Sequence, residues 1–363
     1  MRAPVSSHPL SRALILGAAL VFIVWGMSQA QAVLVSLLFS AFLAILATPP
    51  VLWLERRRLP VVLAVGLVVA GMVVMLLAIG AVVGASINSF YLSLPQYQAR
   101  IQEQFIGFKD FLATKGIAPV ENSLLDYLNP GSVMTLTAGL FVRLGSVFSN
   151  IVLVVLTATF VLLEATSFPV KLRAVIGDPQ QVFPQFTKFV DDMKRYMLIK
   201  TLISLTTGIL VTVWLSTLGV DFPVIWGFLA FMLAYVPTLG ATIASVPAVL
   251  LAFVQLGAWR AVLVAVGYLV INMVLGYGVE TRLMGRRLGL STLVVFLSLI
   301  FWGSLLGPIG AVLCIPLTMT LKFAFESSES TRWIAVLLGP KEPGKTQEPL
   351  SKKPLRVQDA NAA

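Results

Sequence analysis

Helix-breaking residues and hydroxyl groups interrupt an otherwise apolar stretch of the chain, AYVPTLGATIASVPAVL, residues 234–250. Pro237 lacks a backbone donor and frees the carbonyl one turn earlier, and Gly240 accepts backbone angles that strain other residues. Thr238 and Thr242 add hydroxyl groups beside these breaks. In lipid, unpaired backbone groups are tolerated only where protein or a water-filled cavity satisfies them. The pattern therefore indicates a place where backbone groups meet a polar solute.

A second interruption of the same kind occurs in WGSLLGPIG, residues 302–310. Asn272 is a further polar residue, in the middle of an apolar run, where it needs either an interhelical partner or a solute. Paired segments broken by Gly and Pro are the best sequence indication of a transporter's binding site. The alternative is a pair of proline-kinked helices packed on their neighbours. The predicted solute-binding residues are Pro237, Thr238, Gly240, Thr242, Asn272, Ser304, Gly307 and Pro308.

The composition argues against most other chemistry. The chain of 363 residues is 58% hydrophobic and has one cysteine and one histidine. We therefore expect no internal disulfide, no metal site, no cofactor and no enzymatic activity. The net charge of +10 comes from short basic clusters between apolar runs, which is typical of cytoplasmic loops and not of a nucleic-acid-binding surface.

The lengths of the apolar runs predict the membrane topology. A bilayer core takes about 20 apolar residues as helix, and six runs qualify as full spans: 13–30, 31–54, 60–86, 146–166, 197–219 and 259–279. Gly and Pro divide the regions 222–256 and 291–322 into halves of about 12 to 16 residues. We predict an all-α polytopic membrane protein with about six full transmembrane helices and two broken helical hairpins, either re-entrant or thin.

Basic loops predict the orientation of the spans. Residues 56–58 and 282–287 are rich in arginine, which places both loops in the cytoplasm by the positive-inside rule. Cytoplasmic N- and C-termini follow. We expect the first run to be a retained span, and the alternative is a signal peptide that is cleaved near Ala30-Gln31-Ala32.

The chain divides into four predicted regions. Apolar residues recur at helical spacing between Tyr97 and Leu112, which indicates an amphipathic helix outside the membrane. The regions are N-terminal transmembrane helices in 1–86, an extracytoplasmic amphipathic segment in 87–145, a core transport region in 146–322 and a mobile cytoplasmic tail in 323–363.

Charged residues are expected at the membrane boundaries only. The ionisable residues near membrane depth fall at predicted span ends: Glu164, Lys200, Asp221, Arg260 and Glu280. Snorkelling to the interface costs little at such positions, so we expect them to act as anchors. Glu280 and Arg282 are close enough in sequence to predict an ion pair, or a gate, at the cytoplasmic mouth. No pair of carboxylates is expected at membrane depth, which disfavours a proton-coupled mechanism built on such a pair. The expected lack of an ionisable residue at mid-membrane disfavours an antiporter.

Three stretches resemble a known family: YVPTLGATIASVPAVLLAF, RLMGRRLGLSTLVVFLSLIFWGSLLGPIGAVLCIPLTM and, near the end, AVLLGP. They resemble the autoinducer-2 exporter family, also called PerM-like permeases. Thr281 stands where the family pattern usually has proline. The resemblance implies a secondary transporter of the bacterial inner membrane that forms homo-oligomers, namely pentamers, with an elevator-like moving unit.

The resemblance implies two activities, and the residues favour one of them. Some family members export the quorum-sensing signal autoinducer-2, and others are sodium/proton antiporters. Autoinducer-2 is small, polyhydroxylated and nearly neutral, so a site of backbone groups with Thr, Ser and Asn side chains suits it. The alternatives are an antiporter that uses Glu164 or Glu280, and a membrane scaffold that organises partners through the amphipathic segment and the tail.

Overall fold

The protein is a bundle of long helices. A computed structural model of the chain describes residues 9–114, 139, 151–176, 184–237, 239–284 and 289–339, and none of these residues lies in a strand. The helices are α1 (Pro9–Gln29), α2 (Gln31–Arg56), α3 (Val61–Thr114), α4 (Ile151–Ile176), α5 (Pro184–Leu218), α6 (Pro223–Leu233), α7 (Gly240–Leu256), α8 (Ala258–Asn272), α9 (Thr281–Met284), α10 (Thr292–Val312), α11 (Cys314–Glu326) and α12 (Arg332–Leu337), with a π-helix, Met273–Glu280, between α8 and α9. The predicted all-α polytopic fold is confirmed.

Several helices are long and apolar enough to cross a membrane. Within the described ranges these are Gln31–Arg56, Val61–Ser93, Phe186–Leu218, Ala258–Leu283 and Thr292–Val312. Shorter apolar helices cover Gly17–Gln29, Val152–Ala165, Pro223–Leu233 and Gly240–Leu256. The predicted spans 13–30 and 146–166 thus overlap shorter apolar helices. Residues 292–312, predicted as part of a broken hairpin, form a helix long enough to cross a membrane. Many large apolar side chains on these helices are exposed, as lipid contact requires.

Helix α3 joins two regions that the sequence separated. It runs for 54 residues, about 80 Å at 1.5 Å per residue, and passes through the predicted boundary at residue 86 without a break. Pro95 lies inside it. The rest of the predicted amphipathic segment, beyond Thr114, falls outside the described residues except for Gly139.

Two hydrophobic clusters connect the broken segments to the rest of the bundle. The first cluster joins α3, α5, α6, α7 and α8, and its fully buried members include Phe90, Leu215, Trp226 and Val264. The second cluster joins α2, α5, the turn between α6 and α7, α10 and α11, through residues such as Phe42, Met197, Tyr235, Leu306 and Cys314. Because α5 contributes to both clusters, it positions the two broken segments relative to each other.

Candidate functional site

The first break lies at residues 234–239, between α6 and α7. Tyr235 is buried there, and its hydroxyl donates a 2.8 Å hydrogen bond to Thr201 Oγ1 on α5. Its ring lies edge-on to Phe42 of α2 and Phe231 of α6, with centroid distances of 5.7 and 5.8 Å. Protein contacts therefore fix the non-helical turn inside the bundle, which is the condition for such backbone at membrane depth.

Gly240 begins α7 because no larger residue fits there. It is buried, and a Cβ at this position would lie 1.8 Å from the carbonyl oxygen of Leu233 at the end of α6. The close approach of the two helix ends thus requires a glycine. A substitution of Gly240 would disturb the turn itself, so loss of activity in such a variant would not identify a solute contact.

The second break lies at Gly307, as the sequence predicted for the region 291–322. Gly307, within α10, has the non-helical backbone angles φ 69° and ψ −153°, and only glycine adopts such angles without strain. Pro308 follows and disfavours helical geometry in the residue before it. The part of α10 before this kink forms a hairpin with α11. In the hairpin, Trp302 Nε1 donates to Thr318 Oγ1 at 3.1 Å, and Thr318 Oγ1 donates to Ser298 Oγ at 2.8 Å.

The other predicted solute contacts are spread over several helices. Thr242 is exposed on α7, and Ser304 is exposed on α10, where its hydroxyl donates to the Phe301 carbonyl at 3.0 Å. Asn272 ends α8, and its Oδ1 lies 2.9 Å from where a Cβ of Gly276 would be. Pro237 is half-buried in the first turn, Pro308 is exposed, and Thr238 falls outside the described residues. The contact of these residues with a solute stays a prediction.

A buried ion pair lies beside the first break. Lys200 Nζ on α5 is 2.6 Å from Glu280 Oε1 at the end of the π-helix, and the two side chains are 5% and 22% exposed. The expectation that both residues snorkel to the interface is wrong for Lys200, and Glu280 pairs with Lys200 instead of Arg282, which is exposed. The reason is geometric: α5 packs against both α8 and the π-helix, and this contact brings together residues 80 positions apart.

Further polar groups surround this pair. Tyr196, one turn before Lys200 on α5, is buried within electrostatic range of Glu280. Cys314, buried at the start of α11, is within electrostatic range of Lys200. Ser204, one turn after Lys200, is fully buried, and its hydroxyl has no hydrogen-bonding partner within the part of the chain that the structure describes.

The remaining charged residues of the predicted span ends have different surroundings. Glu164 pairs with Lys171 at 2.8 Å on the surface, where the side chains are 60% and 64% exposed. Asp221 accepts a 2.5 Å hydrogen bond from the hydroxyl of Tyr97 on α3. Arg260 donates to the Leu218 carbonyl at 2.7 Å. These contacts agree with the expectation that the three residues act as anchors near the ends of spans.

A cluster of hydrogen bonds ties the far end of α3 to the core, and we call it the α3 clasp. Beside the Tyr97–Asp221 bond, Arg100 Nη1 donates to the Gln255 carbonyl at 3.1 Å, and the Asp221 amide donates to Gln255 Oε1 at 3.0 Å. Trp226 Nε1 donates to the Asp221 carbonyl at 3.0 Å. The clasp thus joins α3 to the loop that follows α5 and to the end of α7.

An apolar cavity of about 270 Å³ lies between α2, α5 and α11. Phe42, Met193, Met197 and Leu313 are among its lining residues, and Lys194 and Thr320 supply polar groups. Apolar walls of this kind do not match a polyhydroxylated solute, so this cavity is distinct in chemistry from the predicted polar site.

Comparison with known proteins decides the family. The model of the AI-2E family transporter matches residues 15–330. The chain belongs to the AI-2E transporter family. It is 38% identical over 319 residues to the AI-2 transport protein TqsA of Escherichia coli K12, covering 88% of this chain and 93% of TqsA.

Two further relatives of this AI-2E family chain have less specific names. The putative transport protein YhhT of Escherichia coli K12 is 36% identical over 326 residues, covering 90% of this chain and 93% of YhhT. A putative transport protein of Haemophilus influenzae is 33% identical over 336 residues, covering 91% of this chain and 97% of that protein. The names of these relatives agree with the family in describing transport proteins.

Sequence reasoning missed the polar residues of α5. Lys200, Ser204 and Thr207 recur at the spacing of one helical face, and all three are buried. That periodicity within an apolar helix is a signal visible in the sequence, because polar residues on one face of a membrane helix turn toward the protein interior. Tyr235 and its partner Thr201 carried no comparable signal.

Proposed function

We propose that this AI-2E family protein is a secondary transporter that exports a small polar solute, autoinducer-2, by elevator-like alternating access. The observation that carries the proposal is the pair of helix breaks, at residues 234–239 and at Gly307, that pack into one hydrophobic cluster. Broken helices in a membrane protein are typical of solute sites because their ends present backbone groups. The name of TqsA supports autoinducer-2 as the solute.

The packing of the helices supports a moving unit. Helices α5 to α8 share the first cluster and are tied by glycine-mediated contacts, such as Gly227 against Thr212. The second cluster connects this group to α2 through Phe42 and Tyr235. In the proposed mechanism, α5 to α8 and the α10–α11 hairpin move together, and the contacts with α2 and the α3 clasp rearrange.

Location and assembly belong to the same proposal. We place the protein in the bacterial inner membrane, with cytoplasmic termini, because of the basic loops at residues 56–58 and 282–287. We also propose a homo-oligomer, namely a pentamer, on the basis of the family resemblance. The exposed apolar side chains of α1 to α3 supply the surface for lipid and for neighbouring subunits.

Counterflow of isotope-labelled autoinducer-2 into proteoliposomes tests the function. The test variant is Thr242→Val, which keeps the side-chain shape and removes the hydroxyl. The matched control is Thr206→Val on α5, whose hydroxyl donates to the Leu202 carbonyl. We expect about a tenfold loss of counterflow for Thr242→Val, equivalent to one hydrogen bond, and wild-type counterflow for the control. Equal counterflow in both variants would remove Thr242 from the site, and an absence of protein-dependent counterflow in the wild type would overturn autoinducer-2 as the solute.

Flux measurements on the same vesicles, together with variants, distinguish the alternative functions. Proton flux driven by an imposed sodium gradient, with no autoinducer-2 present, would replace the proposal with antiport. A scaffold would instead lose function when residues 96–114 are deleted and keep it when the residues of the breaks are substituted.

A further inference from the structure

We propose that Lys200 and Glu280 form a proton-binding site that couples solute export to proton entry. The inference rests on the proposed function, and it assigns the coupling ion and its residues. Three features of the described structure carry it: the burial of the pair, its connection to the first break and the π-helix that ends on Glu280.

The burial of the pair makes its charge state matter. Lys200 and Glu280 face each other at 2.6 Å with little exposure of Lys200. Buried ions are stable only while they are paired, because an uncompensated charge in the interior costs much more than a surface charge. A proton that binds Glu280 Oε1 changes the net charge of the pair from zero to +1. The protonated state is therefore driven toward a conformation in which Lys200 reaches water.

A direct contact connects the pair to the first break. Thr201, the neighbour of Lys200 on α5, accepts the 2.8 Å hydrogen bond from the hydroxyl of Tyr235. Tyr235 lies in the non-helical turn, two residues before Pro237. A shift of α5 at Lys200 thus moves the partner that fixes the turn, and the turn carries the predicted solute contacts.

The π-helix supplies an element with a second arrangement available. Residues Met273–Glu280 form it, and Glu280 is its last residue. Such π-segments are rare in helices and occur frequently at functional sites. Release of Glu280 from Lys200 removes the side-chain contact at the end of the π-segment, so that the segment can return to α-helical register and move Glu280. Asn272, a predicted solute contact, ends the helix that precedes it.

The groups around Glu280 favour a proton over a metal cation. Lys200 of α5 pairs with it, Tyr196 of α5 lies within electrostatic range of it, and Arg282 follows it on α9. Cys314 of α11 lies within electrostatic range of Lys200. A sodium ion requires several oxygen ligands at once, whereas a proton requires one acceptor oxygen. Glu280 Oε1 already accepts from Lys200, so a proton replaces one N–H···O contact. The proton reaches Glu280 from the side of the membrane to which the solute is exported. It leaves Glu280 toward the side from which the solute comes.

Infrared titration tests proton binding without any solute. Purified wild-type protein, Glu280→Gln and the control Glu164→Gln are compared in the pH range in which the wild type transports. We expect a band of a protonated carboxyl group in the wild type and in Glu164→Gln, and no such band component in Glu280→Gln. Identical spectra for all three proteins would overturn proton binding at Glu280, whatever the solute.

Transport measurements test the coupling. In proteoliposomes with an imposed pH gradient, we expect wild type and Glu164→Gln to move autoinducer-2 against its concentration gradient. Glu280→Gln should lose this driven transport at least tenfold. The double variant Lys200→Met with Glu280→Gln leaves no unpaired buried charge, so it should also lose driven transport but retain counterflow, which needs no proton and shows that the variant is folded. A pH-independent wild type that still shows counterflow would overturn the coupling and leave the proposed function intact.

Two other results would also overturn the inference. Transport driven by a sodium gradient in place of a pH gradient would assign a different coupling ion. Equal driven transport in wild type and Glu280→Gln would remove Glu280 from the coupling site. If neither driven transport nor counterflow occurs in the wild type, the proposed solute fails, and the infrared comparison alone decides whether Glu280 binds protons.

Discussion

Two Lys–Glu ion pairs of the described residues lie in opposite surroundings. Lys171 and Glu164 lie on one helix, 2.8 Å apart and more than half exposed. Lys200 and Glu280 lie on packed elements, 2.6 Å apart and mostly buried. Water solvates the two charges of the first pair whether or not the pair forms. In the second pair, each charged group takes the place of the water that would otherwise solvate its partner. The same Lys–Glu contact therefore contributes little to the free energy of unfolding on the surface and much more in the interior.

The largest effect is expected when the buried pair is broken. Lys200→Met leaves the Glu280 carboxylate without its partner, and we expect the free energy of unfolding to fall by about 3–5 kcal/mol. Tryptophan fluorescence during denaturation in detergent measures this change, with Lys171→Met as the matched control. A fall for Lys200→Met no larger than for Lys171→Met would show that the two pairs are equivalent.

A double substitution sharpens the same comparison. Lys200→Met combined with Glu280→Gln removes both charges, and buried pairs replaced by uncharged groups are often close to neutral in stability. We expect the double variant to regain most of the stability that Lys200→Met loses. Additive losses in a double-mutant cycle would contradict a direct coupling between the two side chains.

The α3 clasp should give an intermediate effect. Tyr97→Phe removes the hydrogen bond to the Asp221 carboxylate, and we expect a loss of about 1.5–3 kcal/mol in the free energy of unfolding. Burial, and then the hydrogen bond to Asp221, raise the pKa of Tyr97 above its ordinary value of 10.0. The neutral phenol is favoured in the fold, so its contribution is complete below pH 10 and is lost as the pH rises through the raised pKa.

Denaturation at two pH values checks this prediction for Tyr97. The difference in stability between wild type and Tyr97→Phe should shrink above pH 10. The exposed Tyr91 of the same helix provides the control, since Tyr91→Phe should have little effect at either pH. A pH-independent difference for Tyr97→Phe would contradict the assigned hydrogen bond.

The smallest effect is expected at the exposed pair. Glu164→Gln should change the free energy of unfolding by no more than about 1 kcal/mol, and the change should become smaller at high salt because exposed charges are screened. The denaturation midpoint at low and high salt measures it. A large, salt-independent loss would mean that this pair is buried in the assembled protein.

The sequence predicted what depends on local chemistry. Gly307 and Pro308 break α10 where their backbone preferences require it, and the turn before Gly240 separates α6 from α7. The apolar runs predicted an all-α membrane protein because hydrophobic length is a local property. The family followed from motifs around the same breaks.

Long-range packing was beyond the sequence patterns. Lys200 meets Glu280 only because α5 packs along the α8 and π-helix segment, and position relative to the span end predicted a surface anchor instead. The continuous α3 was also missed, because a change from apolar to amphipathic composition at residue 86 does not by itself end a helix. The packing role of Gly240 became visible only through its distance from Leu233.

Efflux of labelled autoinducer-2 from preloaded proteoliposomes tests the central claim most directly. The account predicts that vesicles containing the protein lose the label faster than protein-free vesicles, and faster still when the pH outside is lower than inside. Equal loss from vesicles with and without protein, under every imposed gradient, would contradict export of autoinducer-2 by this chain.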